Sequence, residues 1–275
     1  MAIKDILVVL EPGPEGRHVD EFALSLSSQL GAHLTAAGVA LQTIAPVSFM
    51  GDYPYELMAQ ATDEARASAQ SAFDRLNTAA PAGVNVDYVP VEGFTSEAID
   101  RVARLARHYD LTIVRQNSPD EDGFASQLAV GTIFGSGRPC IMLPYIHKGP
   151  AKLGKAMVAW DGGVVVARAL SGSLSLLQKA GKVEVVTVAK ADQDFDSVPG
   201  FDITRHLARH GINATLKQLP ATDDIAAILL SHAADSAPDY IVMGCYGHSR
   251  LRELVLGGTT REILGSMTVP IVMAH

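Results

Sequence analysis

The residues best suited to chemistry fall late in the chain. Gly244-Cys245-Tyr246-Gly247-His248 opens a stretch that ends Gly257-Gly258-Thr259-Thr260-Arg261, with glycines spaced G-x2-G-x9-G. It follows the apolar run Tyr240-Ile241-Val242-Met243, which reads as a strand. Glycines after a strand let the backbone take positive φ and approach a ligand closely. Gly257 and Gly258 open a predicted helix, whose first unpaired amides and dipole favour a phosphate. Arg250, Arg252 and Arg261 add positive charge nearby. The same glycines would also serve if they only made tight turns. A second candidate is the acid in Trp160-Asp161-Gly162-Gly163, at the end of another apolar run. Its carboxylate could accept hydrogen bonds from an adenine amino group or a ribose hydroxyl. It could equally cap the helix expected to start near residue 164.

Other chemistries fit less well. Gly247-His248-Ser249-Arg250-Leu251 approaches the G-x-S-x-G nucleophile elbow, but Leu251 stands where that turn needs glycine. Only Glu253, Glu262 and His275 follow to complete a triad. His206 and His210 sit one helical turn apart and could share a metal, yet no third ligand has an obvious spacing. Cys245 is either a small filler or a thiol activated by nearby helix amides, whereas Cys140 sits in an apolar strand. There is no G-x4-G-K-[ST] and no G-x-G-x-x-G, so P-loop and dinucleotide readings fail.

The elements that must position these residues occur twice. Lys4 to Gly13 and Lys155 to Gly163 each run from an apolar strand into an acid and a turn. Asp110-Leu111-Thr112-Ile113-Val114 matches Asp239-Tyr240-Ile241-Val242-Met243. Each half closes on a Pro-led strand, at Pro139 and at Pro270. The pattern in each half is β-α-β-α-β-α-β-α-β. Short apolar strands alternating with helices imply a parallel sheet covered on both faces, that is, an α/β doubly wound fold. Helices are predicted near 17–30, 55–79, 95–107 and 124–135, then near 164–180, 200–210, 222–236 and 258–266. The expected domains are 1–146 and 151–275, each a five-stranded parallel sheet, joined by a linker near 145–152 and related by a pseudo-two-fold. The first carries an insertion near 41–60 that would act as a lid or partner surface, or simply lengthen a helix covering the sheet. Ligands in such folds bind beyond the carboxyl ends of strands, at the switch in strand order.

Composition narrows the class further. The chain has 275 residues, 48% hydrophobic and 19% charged, which suits a packed globular protein. No apolar run is long enough to span a membrane, and two cysteines make no disulfide framework. The first residues lack a signal-peptide core, so a cytoplasmic protein without membrane partners is expected. The net charge of −8 lies wholly in residues 1–150, with 18 acids against 10 bases. Residues 151–275 carry 12 of each. Neither half is basic, which argues against nucleic acid.

The tandem repeat, Asp161 and the G-x2-G-x9-G loop together resemble the universal stress protein family, over the whole chain. The resemblance implies a Rossmann-like fold of the adenine nucleotide alpha hydrolase type. In members that bind ATP, the strand-one acid and the end of strand two hold the adenosine, and the glycine loop holds the phosphates. By position this implicates Ala159, Trp160, Asp161, Val188, Gly244, Gly247, His248 and Gly257. The family's Ser/Thr after the third glycine is here Gly258, so Thr259 and Thr260 are the hydroxyls left to replace it. In the first half, Glu11 replaces the acid, Arg115 and Ser118 replace glycines, and Asp120, Glu121 and Asp122 stand where phosphates would. The implied protein is a stress-response module holding ATP or AMP in its second half, with Mg²⁺ accompanying ATP. It has no positioned general base and hence no catalytic residues, so any ATP hydrolysis would be slow. The alternative is an interaction or scaffold protein with both sites degenerate and an unknown protein partner. Strand 139–144 is expected to pair with strand 270–274 as an internal pseudo-dimer, with homodimerisation left open.

Overall fold

The computed structural model describes residues 2–10, 12–13, 16–42, 55–121, 123–189, 202–221, 224–245 and 258–275. The chain forms two compact units. The first contains β1 (Asp5–Val9), α1 (Arg17–Leu30), β2 (His33–Leu41), α2 (Tyr55–Ala79), β3 (Val86–Gly93), α3 (Thr95–Ala106), β4 (Leu111–Arg115) and α4 (Phe124–Ser136). Its strands run parallel in the order β3-β2-β1-β4. The second contains β5 (Cys140–Leu143), β6 (Lys155–Ala159), α5 (Val164–Leu177), β7 (Lys182–Ala189), α6 (Ile203–Arg209), β8 (Ala214–Pro220), α7 (Ile225–Ser236), β9 (Tyr240–Gly244), α8 (Gly258–Ser266) and β10 (Ile271–Ala274). Its order is β5-β10-β9-β6-β7-β8, parallel except at β5.

Burial follows strand position. Every residue of β4, β5 and β10 is buried, as expected where helices cover both faces. The edge strands β3 and β8 are largely open and carry Pro90 and Pro220, which cannot donate to a further strand. The β5–β10 pairing expected from the sequence is present. It is antiparallel, with Ile271 opposite Met142 and Met273 opposite Cys140. β5 thereby covers one side of β10.

Helix ends have local causes. α1 stops at Gly31, whose left-handed backbone (φ 60°) lets its N–H bond the carbonyls of Ser27 and Ser28. Asp202 and Asp224 cap α6 and α7 by accepting from Thr204 N–H at 2.8 Å and Ala227 N–H at 2.9 Å. α5 ends at Leu177, short of the expected 180. Its last turn tightens, with Lys179 and Ala180 N–H bonding the carbonyls three residues back.

α2 has two different halves. Residues 56–68 contain no buried position, whereas Ala69, Ala72 and Leu76 are buried at helical spacing. Arg75 anchors that second half: its Nε donates to Asp20 Oδ2 at 2.5 Å and its Nη1 to the Gly13 carbonyl at 2.6 Å. Burial pushes the Asp20 carboxyl above its ordinary range, and the Arg75 guanidinium opposes that shift. The second half of α2 thus covers the sheet, whereas residues 56–60, from the insertion near 41–60, contain no buried position. Residues 43–54 of that insertion lie outside the described residues.

The repeat is most faithful at the amino ends of the strands. Asp110 Oδ2 accepts from the N–H groups of Lys4 and Asp5 at 2.8 and 3.2 Å, and Asp110 N–H returns a bond to the Asp5 carbonyl at 3.0 Å. In the second unit Asp239 Oδ2 accepts from Lys155 N–H at 2.8 Å, and Asp239 N–H bonds the Lys155 carbonyl at 2.8 Å. Each acid fixes the start of the central strand to the start of its neighbour. Hydrogen bonds to a charged acceptor contribute about 1.5–3 kcal/mol. Asp239→Ala is therefore expected to destabilise the second unit by about 2 kcal/mol, measured as an earlier urea midpoint at unchanged slope. An unchanged midpoint would remove this role from the acid.

Candidate nucleotide site at the β6–β9 switch point

In the second unit β7 and β8 lie on one side of β6, while β9 and β10 lie on the other. The carboxyl ends of β6 and β9 are therefore the switch point where a crevice opens. Trp160 N–H donates to the Val186 carbonyl at 2.8 Å, which extends the β6–β7 ladder past Ala159. Ala159 and Trp160 are half-buried, and Asp161 is exposed. The Asp161 carboxylate accepts from Gly163 N–H at 2.8 Å, across Gly162 at φ 72°. Gly163 is the N-cap residue of α5, so the acid stabilises the turn into that helix while facing solvent. Val188, half-buried near the end of β7, pairs with Leu219 of β8.

Gly244 ends β9 in a tight place. A Cβ there would lie 2.7 Å from the Val166 backbone nitrogen and 2.8 Å from Val165 Cγ2. Only four residues, Trp160 to Gly163, separate β6 from α5. So short a loop brings the first turn of α5 against the end of β9. Glycine at 244 is thus required by packing, a role that its place in the spacing motif does not reveal.

Cys245 follows, fully buried. Its N–H bonds the Ala274 carbonyl at 3.1 Å, and its own carbonyl accepts from His275 Nδ1 at 3.1 Å. Burial, with a smaller contribution from Cys140, pushes its thiol well up, so it stays protonated and acts as filler. Gly247, His248, Ser249, Arg250, Arg252 and Gly257 lie outside the described residues. Gly258 opens α8. Thr260 is buried and Thr259 half-buried, so Thr259 is the more accessible of the two hydroxyls.

The corresponding place in the first unit is filled. Arg115 ends β4 and is only 6% exposed. Its Nη2 lies 2.7 and 2.8 Å from the two Glu121 carboxylate oxygens. Ser118 N–H donates to Glu121 Oε2 at 2.8 Å, and Asn117 Nδ2 to the Ser118 carbonyl at 2.7 Å. The sequence reading took Arg115 as a lost glycine and Glu121 as one acid of a repulsive cluster. Their pairing is not evident from the sequence, where the signal is an arginine ending an apolar strand six residues before a glutamate. Asp120 is exposed; Glu11 and Asp122 lie outside the described residues.

The remaining candidates separate from the crevice. His206 and His210 pack edge-to-face with ring centroids 4.8 Å apart. Among the described residues no group of three His, Cys, Asp or Glu is placed to hold a metal. A groove of about 370 Å³ between α2 and strands β2 and β3 is lined by Gly38, Arg66, Tyr88 and Glu92, among others, and by none of the nucleotide-site candidates. Among the described residues no helix is long and apolar enough to cross a membrane.

No family model matches the chain. Over 139 residues it is 30% identical to a universal stress protein of Synechocystis, a match covering 49% of this chain and 46% of that protein. The chain thus spans about half the length of the curated relative it matches. A solved universal stress protein of Archaeoglobus fulgidus superposes with a TM-score of 0.71 at 16% identity, covering 98% of this chain and 95% of that one. Over about half its length the chain is thus similar in sequence to a universal stress protein. Over nearly all of its length the likeness is one of fold. A Pseudomonas aeruginosa protein of unknown function has the same architecture, with a TM-score of 0.57 at 16% identity over 99% of this chain and 92% of that one.

Within this fold, the packing at Gly244 yields a direct test. An added methyl must push α5 from β9, and overpacking of this kind costs about 1–3 kcal/mol. Gly244→Ala is expected to lower the melting temperature with any ligand absent. Wild-type stability in that variant would show that α5 does not constrain the position.

Proposed function

We propose that the second unit binds an adenine nucleotide, ATP or AMP, as a regulatory ligand, with Mg²⁺ accompanying ATP. The observation that carries this reading is the contrast between the two switch points. At the β6–β9 end, the described positions present an exposed carboxylate, Asp161, and the glycine backbone of Gly162 and Gly163. At the β1–β4 end, a buried arginine and its glutamate take up the space. The G-x2-G-x9-G spacing and the neutral charge of the second half add support. Asp161 would accept from the adenosine, and the amides opening α8, with Thr259, would meet phosphate. No general base is positioned among these residues, so the role is binding, in a cytoplasmic protein, and any hydrolysis is slow.

A second reading is that both sites are degenerate and the chain acts through its surface. Gly258 at the expected hydroxyl position and the unburied first half of α2 favour it.

Mass spectrometry of small molecules released by acid from fresh protein, followed by titration with ATP and Mg²⁺, separates the two. The nucleotide reading expects about one adenine nucleotide per chain and loss of binding in Gly247→Trp. Removing one charge-assisted bond with Asp161→Ala should weaken affinity by roughly tenfold or more. An empty protein that ignores millimolar ATP would favour the surface reading. Phosphate release followed over hours tests the absence of turnover.

A further inference from the structure

We infer that the end of β4 in the first unit is a site for a small oxyanion, a carboxylate or a phosphate, and that the chain's own Glu121 carboxylate occupies it. Three features carry this. The cation is permanent and sunk: Arg115 is 6% exposed at the last position of a fully buried strand. An arginine guanidinium does not lose its proton, so a counter-anion is required there at all accessible pH values. The donors converge as they would on a bound oxyanion, with Arg115 Nη2 at 2.7 and 2.8 Å from the two oxygens and Ser118 N–H at 2.8 Å from one of them. Here one guanidinium nitrogen, shared between both oxygens, and a backbone N–H hold the carboxylate, and the same charged donor set can hold a phosphate.

The third feature is an asymmetry of exposure. The Glu121 side chain is 33% exposed, against 6% for Arg115. Glu121 can swing into water without burying its charge, whereas Arg115 stays where it is. An incoming anion can therefore exchange with Glu121 and release residues 116–121 from the strand end. The exposed Asp120 beside the site repels highly charged ligands, which selects a small mono- or dianion over a triphosphate. In the wild type the tethered carboxylate competes at millimolar or higher effective concentration, so exchange needs an anion in that range.

The test uses the full chain with Glu121→Ala and Glu121→Gln, titrated with sodium acetate or orthophosphate at ionic strength balanced by sodium chloride. Glu121→Ala should melt earlier than wild type and be rescued by acetate or phosphate beyond any effect of chloride. Half-saturation should fall at least tenfold below the wild-type value. Glu121→Gln keeps the shape and one acceptor oxygen, so it preserves the fold if the alanine variant does not, and it should bind phosphate more tightly than wild type by calorimetry. Adding Arg115→Met should abolish both responses. Rescue by phosphate alone marks a phosphoryl ligand, and rescue by both marks a general oxyanion site. The inference is overturned if both Glu121 variants respond to acetate and phosphate no more than to chloride, or if the response survives Arg115→Met.

Discussion

The connection from the first strand to the first helix of the second unit is short, and the packing of that helix against β9 sets the edge this unit offers. In the second unit four residues, 160–163, make that connection; in the first there are seven, 10–16. The short connection drives the opening turn of α5 against β9 so closely that no side chain fits at 244. The crevice there is bounded by backbone, which can approach a ligand and offer N–H groups. At the equivalent position of the first unit Arg115 ends β4 with its side chain buried. Once a guanidinium is buried there its charge must be matched, and Glu121 is turned inward to do so. The strand end that carries a tightly packed glycine in one unit carries a buried ion pair in the other.

The opposite edge shows what the repeat retains. Asp110 and Asp239 make the same bonds to the starts of β1 and β6. The carboxyl edges, where parallel sheets place ligands, are where the units differ. The two units thus share the bonds that start their central strands and differ at the edge where a ligand would sit.

Much of the architecture was legible because it rests on local pattern. Apolar runs bounded by turns placed the strands, and Gly31, Asp202 and Asp224 mark helix ends by known capping chemistry. The pairing of β5 with β10 was legible because an apolar, Pro-led final strand needs a cover. What was not legible depends on which way side chains point across long separations. Nothing local in Glu121 says it turns toward Arg115 rather than joining its acidic neighbours. Nothing in Gly244 separates a glycine facing phosphate from one facing Val165 and Val166. The helical period of α2 continues unbroken from 55 to 79, and only the tertiary structure shows that burial starts at Ala69.

That half-buried helix bears on how the first unit is used. Arg75 ties the second half of α2 to Asp20 and to the Gly13 carbonyl, just past the end of β1. The same strand end borders β4, where Arg115 holds Glu121. Two arginines from different elements thus fix the connections around one switch point, each through a carboxylate. A unit with no role at that edge could meet its packing needs with apolar residues, since a buried ion pair gives little net stability over a hydrophobic replacement. Two ion pairs kept at the one edge where this fold places ligands are more simply explained by charge recognition than by stability. On the inference drawn above, the first unit carries at that edge an anion site that its own carboxylate fills.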